Sequence, residues 1–123
     1  MTAASAPVIL LVDNEPLVRA VLAEVLRQSG FEVRTASSGT EAVEMVRHAL
    51  PSLVLMDVQM PGLSGWDTLD RLHEVQPALP VLMMSGADLH DEALTRGAAG
   101  FIAKPYRPVD VVRDVREALS PAG

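Results

Sequence analysis

Leu53-Val54-Leu55-Met56-Asp57-Val58-Gln59-Met60-Pro61-Gly62-Leu63-Ser64-Gly65 is the stretch on which the fold turns. Its first four residues are apolar without alternation, which suits a short strand buried on both faces. The run stops on an acid, Asp57. Met60-Pro61-Gly62 then turns the chain into a loop. Ser64 is placed to cap a helix whose inward residues are Trp66, Leu69, Leu72 and Val75. A buried strand that ends on a polar residue and hands over to a helix is one βα unit of a parallel sheet.

The same unit recurs on either side. Val8 to Val12 (VILLV) is an apolar run ending at Asp13, and Val81 to Met84 (VLMM) is another ending in Ser85-Gly86. Ala99 to Ala103 reads as a last strand ending in Lys104-Pro105. Phe31 to Ala36 alternates apolar and polar residues, as a strand more exposed on one face does. Between these runs lie helical patterns. Pro16 suits a first helical turn, and Leu17, Val21 and Val25 with Leu22 and Leu26 form an apolar stripe that Gly30 closes. Ser38-Gly39-Thr40-Glu41 reads as a capping box opening a helix through about Ala49. A short helix is expected from about Leu89 to Arg96. The last runs from Val109 to Leu119, with Val112, Val115 and Leu119 inward. Five βα units in succession predict an α/β fold with a parallel sheet covered on both faces, and right-handed crossovers restrict its topology.

Composition bounds the function. A chain of 123 residues predicts one domain over 1–123, with a core of about 8–119 and tails at 1–7 and 120–123. At 49% apolar and 21% charged residues it can bury a real core. Sixteen acids against ten bases leave a net charge of -6, which argues against nucleic-acid binding by phosphate neutralisation. The absence of cysteine excludes disulfides, zinc–thiolate sites and thiol catalysis. The N-terminus has no signal-peptide pattern, and no apolar run approaches the ~18 residues of a membrane span, so a cytoplasmic protein without membrane contact is expected. Nine of the ten bases are Arg; the one Lys is Lys104.

In open α/β sheets, ligands bind beyond the carboxyl ends of the strands. Those ends carry Asp13, Asp57, Ser85 and Lys104, with Asn14 and Glu15 following the first. Two carboxylates held together repel unless one is protonated or a cation joins them. A set of oxygen ligands without Cys or paired His favours Mg²⁺ over zinc or copper. A carboxylate can also attack phosphorus to give an aspartyl phosphate, and phosphoryl transfer chiefly requires positioning and neutralisation of oxygen charge. A metal, one ammonium and one hydroxyl supply that. Taken alone, each residue has a plainer reading: strand-end acids that cap loops, a solvated lysine, a serine in a turn. Together at matching strand ends they read as a phosphate acceptor built around Mg²⁺. Met56, Met83 and Met84 read as core filling and Trp66 as helix packing. His48, His73 and His90 read as surface residues without metal-like spacing.

Four segments, LLVDNEP (10–16), LVLMDVQMPGLSG (53–65), VLMMSG (81–86) and GFIAKPY (100–106), resemble in order and spacing the receiver domains of two-component response regulators. The resemblance covers about Val8 to Leu119. It implies a flavodoxin-like (βα)5 three-layer sandwich with a five-stranded parallel sheet of order 2-1-3-4-5. It implies that Asp57 accepts phosphate from a phosphohistidine of a partner histidine kinase or histidine phosphotransfer protein. Asp13, Asp57 and the backbone carbonyl of Gln59 would hold Mg²⁺, and Lys104 and Ser85 would contact phosphoryl oxygens. Phe101 matches the switch aromatic, and the Lys104-Pro105 bond is often cis in the family. The domain would promote its own phosphorylation without being a turnover enzyme, and would signal to a downstream protein or attached domain with no direct contact to nucleic acid.

Two departures stand out. The family usually carries two adjacent acids after the first strand, whereas this chain has Asp13-Asn14. The Asn14 amide oxygen can ligate but brings no charge, so weaker Mg²⁺ binding is expected unless Glu15 joins. From Ser85 to Lys104 the chain is about three residues shorter than usual, nearly one turn of helix, and the fourth helix or the loop before it should carry the loss. The short segment, Ser85-Gly86 and Lys104-Pro105-Tyr106 are similar to receivers attached to hybrid histidine kinases. Competing readings are a same-fold binding module that Asn14 leaves rarely phosphorylated, a flavin or dinucleotide enzyme, and a metal-dependent phosphatase using Asp13. Asp13-Asn14-Glu15-Pro16 has no glycine-rich cradle for a nucleotide, and the phosphatase reading needs an Asp where Glu15 stands.

Overall fold

A computed structural model describes residues 6–120. The outer parts of the two expected tails, 1–5 and 121–123, lie outside the described residues. The elements alternate without exception: β1 (Val8–Val12), α1 (Pro16–Gln28), β2 (Glu32–Ala36), α2 (Gly39–His48), β3 (Leu53–Asp57), α3 (Gly65–Val75), β4 (Val81–Ser85), α4 (His90–Thr95), β5 (Gly100–Ala103) and α5 (Pro108–Leu119). All strand pairings are parallel, and the sheet order is β2-β1-β3-β4-β5. The expected fold class and strand order are both observed.

The unbroken apolar runs follow from covering the sheet on both faces. Successive side chains of a strand point to opposite sides. Leu10, Val12, Val54, Met56, Val81 and Met83 pack with Ala42, Val43 and Val46 of α2, Leu69 and Leu72 of α3 and Ala93 of α4. Ile9, Leu11, Leu53, Leu55, Leu82 and Met84 pack on the other side with Leu22, Ala23 and Leu26 of α1 and Val111, Val112 and Val115 of α5. β2 lies at the sheet edge and is the strand that alternates in sequence, with Glu32 exposed and Val33 and Ala36 buried.

Helix ends follow their local chemistry. Gly30 has φ +100°. Its N–H donates to Arg27 O, and that of Phe31 donates to Leu26 O, which completes a Schellman closure of α1. The Ser38 hydroxyl accepts from the Glu41 N–H at 3.1 Å, as expected, but the Glu41 carboxylate reaches back to the Ser37 N–H at 2.6 Å rather than to that of Ser38. The Ser64 hydroxyl accepts from the Asp67 N–H. In the segment expected to be short, α4 has six residues.

Three packing expectations are corrected. Leu17 and Val21 are 81% and 60% exposed, because α1 turns Leu22, Ala23 and Leu26 to the sheet instead. Val75 is at the exposed end of α3 rather than inward. His73 is not a free surface residue: its Nε2 lies 3.0 Å from Leu79 O, tying α3 to the approach to β4. Trp66 packs as expected, with the Arg96 guanidinium 4.9 Å from its ring centre.

Candidate functional site

The sheet order brings the ends of β1, β3, β4 and β5 side by side. Register aligns them closely: Asp57 pairs with Met84, Ser85 pairs with Ala103, and the Lys104 N–H donates to Ser85 O. Asp13, Asp57 and Ser85 are all buried although polar. Thus the four residues singled out at strand ends do converge on one edge.

Asp57 has both carboxylate oxygens engaged. Oδ1 accepts from the Gln59 N–H at 3.2 Å, and Oδ2 accepts from Lys104 Nζ at 2.6 Å. For Lys104, burial disfavours the ammonium. The hydrogen bond to Asp57 and the charges of Asp57 and Asp13 outweigh that, so its pKa is raised. The lysine therefore stays charged where it is.

Asp13 is held differently. Its Oδ1 accepts from the Glu15 N–H at 2.9 Å, while Oδ2 is buried and has no hydrogen-bond partner among the described residues. Burial is the main cause that raises its pKa; the Glu15 N–H opposes it and the charge of Asp57 adds to it. A buried polar atom left unpaired costs about 1–3 kcal/mol. An orphaned carboxylate oxygen next to a second carboxylate is the chemistry a hard divalent cation completes. The donors therefore fit Mg²⁺, with Asp13, Asp57 and the Gln59 carbonyl as the residues that would hold it. Asn14 and Glu15 are exposed at the same edge. Among the described residues there is no cluster of three or more acids or histidines suited to a metal.

The loop after β3 is folded back against Asp57. The Gly65 N–H donates to Val58 O at 2.9 Å. A Cβ at Gly65 would lie 2.5 Å from Asp57 O and 2.6 Å from Val58 Cα, so only glycine permits the approach.

Three features were not legible beforehand. The Gln59 side chain is part of the site: Ser85 Oγ donates to Gln59 Oε1 at 2.9 Å and accepts from the Ala87 N–H at 3.0 Å. Arg19 Nη1 donates to Asp13 O at 2.7 Å, pinning the start of the β1–α1 loop. Leu17, Val18, Val21, Leu22, Tyr106 and Pro108 line an apolar groove of about 290 Å³. A neighbouring depression shares Val18 and Tyr106 and reaches Glu15, Lys104 and Pro105, so the groove leads to the rim of the acidic edge. The excess of apolar residues on α1, more than one buried stripe needs, was the signal for it.

Phe101 is half-buried against the α2–α3–α4 side of the core, with the His90 ring edge-on at 6.3 Å. The Lys104-Pro105 peptide is cis, as the resemblance implied.

Comparison with known proteins agrees with this geometry. The model of the response regulator receiver domain matches residues 9–116. The transcriptional activator protein ExaE of Pseudomonas putida is 43% identical over 117 residues, which are 91% of this chain and 55% of that protein. The chemotaxis protein CheY of Thermotoga maritima is 32% identical over 85% of this chain and 90% of its own length. A CheY-like receiver domain protein from Methanospirillum hungatei superposes with a TM-score of 0.88 at 28% identity, covering 94% of each chain. The chain spans about half the length of the transcriptional regulators it matches.

Proposed function

The chain belongs to the response regulator receiver family of two-component systems, and on that premise we propose that Asp57 is its phosphoacceptor. One observation carries the reading: a buried Asp57 carboxylate bonded to Lys104 at 2.6 Å, beside Asp13 with a buried oxygen that lacks a partner. The donor is a phosphohistidine of a histidine kinase or histidine phosphotransfer protein. An Asp57 oxygen attacks phosphorus, the P–N bond breaks, and the imidazole leaves with the electron pair. Lys104 stays within reach of the transferred group and offsets its negative charge. Mg²⁺ held by Asp13, Asp57 and the Gln59 carbonyl, with Asn14 as a neutral neighbour, would neutralise further charge on the phosphoryl oxygens. Ser85 donates its hydroxyl to one of those oxygens, and Phe101 and the Lys104-Pro105 segment carry the change to the outer surface.

The domain promotes its own phosphorylation and is not a turnover enzyme. Its partner docks across the groove of Leu17, Val21 and Tyr106, which opens beside Lys104. Among the described residues no helix is long and apolar enough to cross a membrane. The reading places the domain in the cytoplasm. The net charge of -6 supports assigning nucleic-acid contact to no part of this chain. The test is exposure to a small phosphodonor such as acetyl phosphate, with and without Mg²⁺, followed by intact mass. A gain of one phosphoryl group that needs Mg²⁺ and disappears in Asp57→Asn is expected. No gain in the parent chain overturns the reading and leaves a same-fold binding module.

A further inference from the structure

We propose that the Gln59 side chain is a latch on the Ser85 hydroxyl, which it must release before the domain can switch. The proposal rests on Asp57 being the phosphoacceptor. A serine hydroxyl has one proton to donate. Here that proton is committed to Gln59 Oε1 at 2.9 Å, and the oxygen also receives the Ala87 N–H at 3.0 Å. Ser85 is fully buried, so no bulk water competes for the proton. In the resting state the hydroxyl is thus satisfied without any contribution from Asp57, whose oxygens are taken by the Gln59 N–H and Lys104.

Gln59 therefore grips both sides of the site. Its backbone N–H holds Asp57 at the end of β3 and its side chain holds Ser85 at the end of β4, 26 residues further along the chain. When a phosphoryl group sits on Asp57, Ser85 can turn to it only by giving up the amide oxygen. The exchange swaps a neutral hydrogen bond for one to an ionised oxygen, which is roughly twice as strong. It is favourable with the phosphoryl group present, and unfavourable without it. The Gln59 side chain is otherwise exposed, so releasing it strands no buried amide. Gln59 is in this sense a positioning residue: it acts on the switch through Ser85, and its amide oxygen sets how often Ser85 is free in the unphosphorylated protein.

The test is Gln59→Met, which keeps length and removes the acceptor, measured alone and in a Ser85→Ala background. NMR couplings of the Ser85 side chain in the unphosphorylated, metal-free protein read the rotamer directly. The expected result is a rise of about five-fold in the minor Ser85 rotamer, the shift that one net hydrogen bond makes. After phosphorylation, the Phe101 ring shift per phosphorylated molecule should be larger than in the parent, whereas in the Ser85→Ala background Gln59→Met should leave it as it is in Ser85→Ala alone. An unchanged Ser85 rotamer distribution, or a Phe101 effect of Gln59→Met that persists without the Ser85 hydroxyl, overturns the latch. Failure of the phosphoacceptor reading shows separately, as absence of a mass gain on Asp57, and leaves the rotamer measurement standing.

Discussion

Lys104 Nζ lies 2.6 Å from Asp57 Oδ2, across 47 residues of sequence. The contact joins the ends of β3 and β5 and places the chain's one lysine on one of its two buried strand-end acids. An ammonium is compact and rotates freely on a flexible stem, whereas a guanidinium is a planar fork of fixed donors. Lys104→Arg keeps the charge but not the shape. It is expected to leave folding in place, with a thermal midpoint within a few degrees of the parent. The response of Phe101 to phosphorylation should weaken by about ten-fold, the loss of one hydrogen bond to a charged group. NMR of the phosphorylated variant checks this, and a normal Phe101 response would show that shape at position 104 is unimportant.

Asn14 leaves the acidic edge one carboxylate poorer than the usual pair. Asn14 is exposed, so an added charge there acts through water. At about 4 Å in water, one unit charge and a divalent ion attract by roughly 2 kcal/mol. Asn14→Asp is therefore expected to tighten Mg²⁺ binding by about ten-fold or more, and high salt should reduce the gain. Calorimetric titration with Mg²⁺ measures both. Equal affinities in parent and variant would remove Asn14 from the account of the cation site.

Asp13 strains the metal-free fold at neutral pH. Its folded-state pKa is raised, chiefly by burial. The folded state therefore binds its proton more tightly than the unfolded chain does. The sign follows: relative to the ionised group, Asp13 favours folding below the ordinary carboxylate value and loses that contribution as pH rises through the raised pKa. Asp13→Asn keeps the shape and removes the charge. In metal-free buffer it should stabilise the protein at pH 7, because the buried charge is gone, and the advantage should shrink as pH falls towards the ordinary range. Thermal melts across pH test this; an advantage that grows on acidification contradicts it. Added Mg²⁺ should stabilise the parent and not the variant.

How much of this was legible depends on what each residue had to satisfy. Ile9–Val12, Leu53–Met56 and Val81–Met84 announce a doubly covered sheet because every position in them is buried by one face or the other. Asp13, Asp57, Ser85 and Lys104 were legible because polar residues that close apolar runs all fall on one sheet edge. The inward face of α1 was not, since Leu17, Val21, Leu22 and Leu26 allow more than one rotation of the helix about its axis. Packing chose Leu22, Ala23 and Leu26, and left Leu17 and Val21 outside. The Ser85–Gln59 bond was illegible for another reason: no local pattern links a residue of the loop after β3 with the last residue of β4, 26 positions on.

Gly65 sets how closely the β3–α3 loop can approach the acceptor. Any Cβ there meets the carbonyl of Asp57 at 2.5 Å, and both neighbours are backbone atoms that cannot rotate away. Gly65→Ala must push α3 and the loop off the end of β3. The expected cost is about 1–3 kcal/mol, typical of overpacking, and phosphoryl uptake should slow because Asp57 is displaced relative to Lys104. Denaturant melts and the rate of mass gain measure the two effects.

The exposed apolar pair on α1 separates donor docking from chemistry. Leu17 and Val21 are exposed, and they line the groove that leads towards Lys104. A small phosphodonor needs no docking surface, whereas a phosphohistidine carried on a protein domain does. The double change Leu17→Ser and Val21→Ser is expected to leave thermal stability and reaction with acetyl phosphate within about two-fold of the parent, as surface changes usually do. Transfer from a phosphohistidine-bearing domain that phosphorylates the parent chain should fall by ten-fold or more, since buried apolar anchors carry most interface energy. Equal transfer rates for parent and variant would move the docking surface elsewhere on the rim, away from α1.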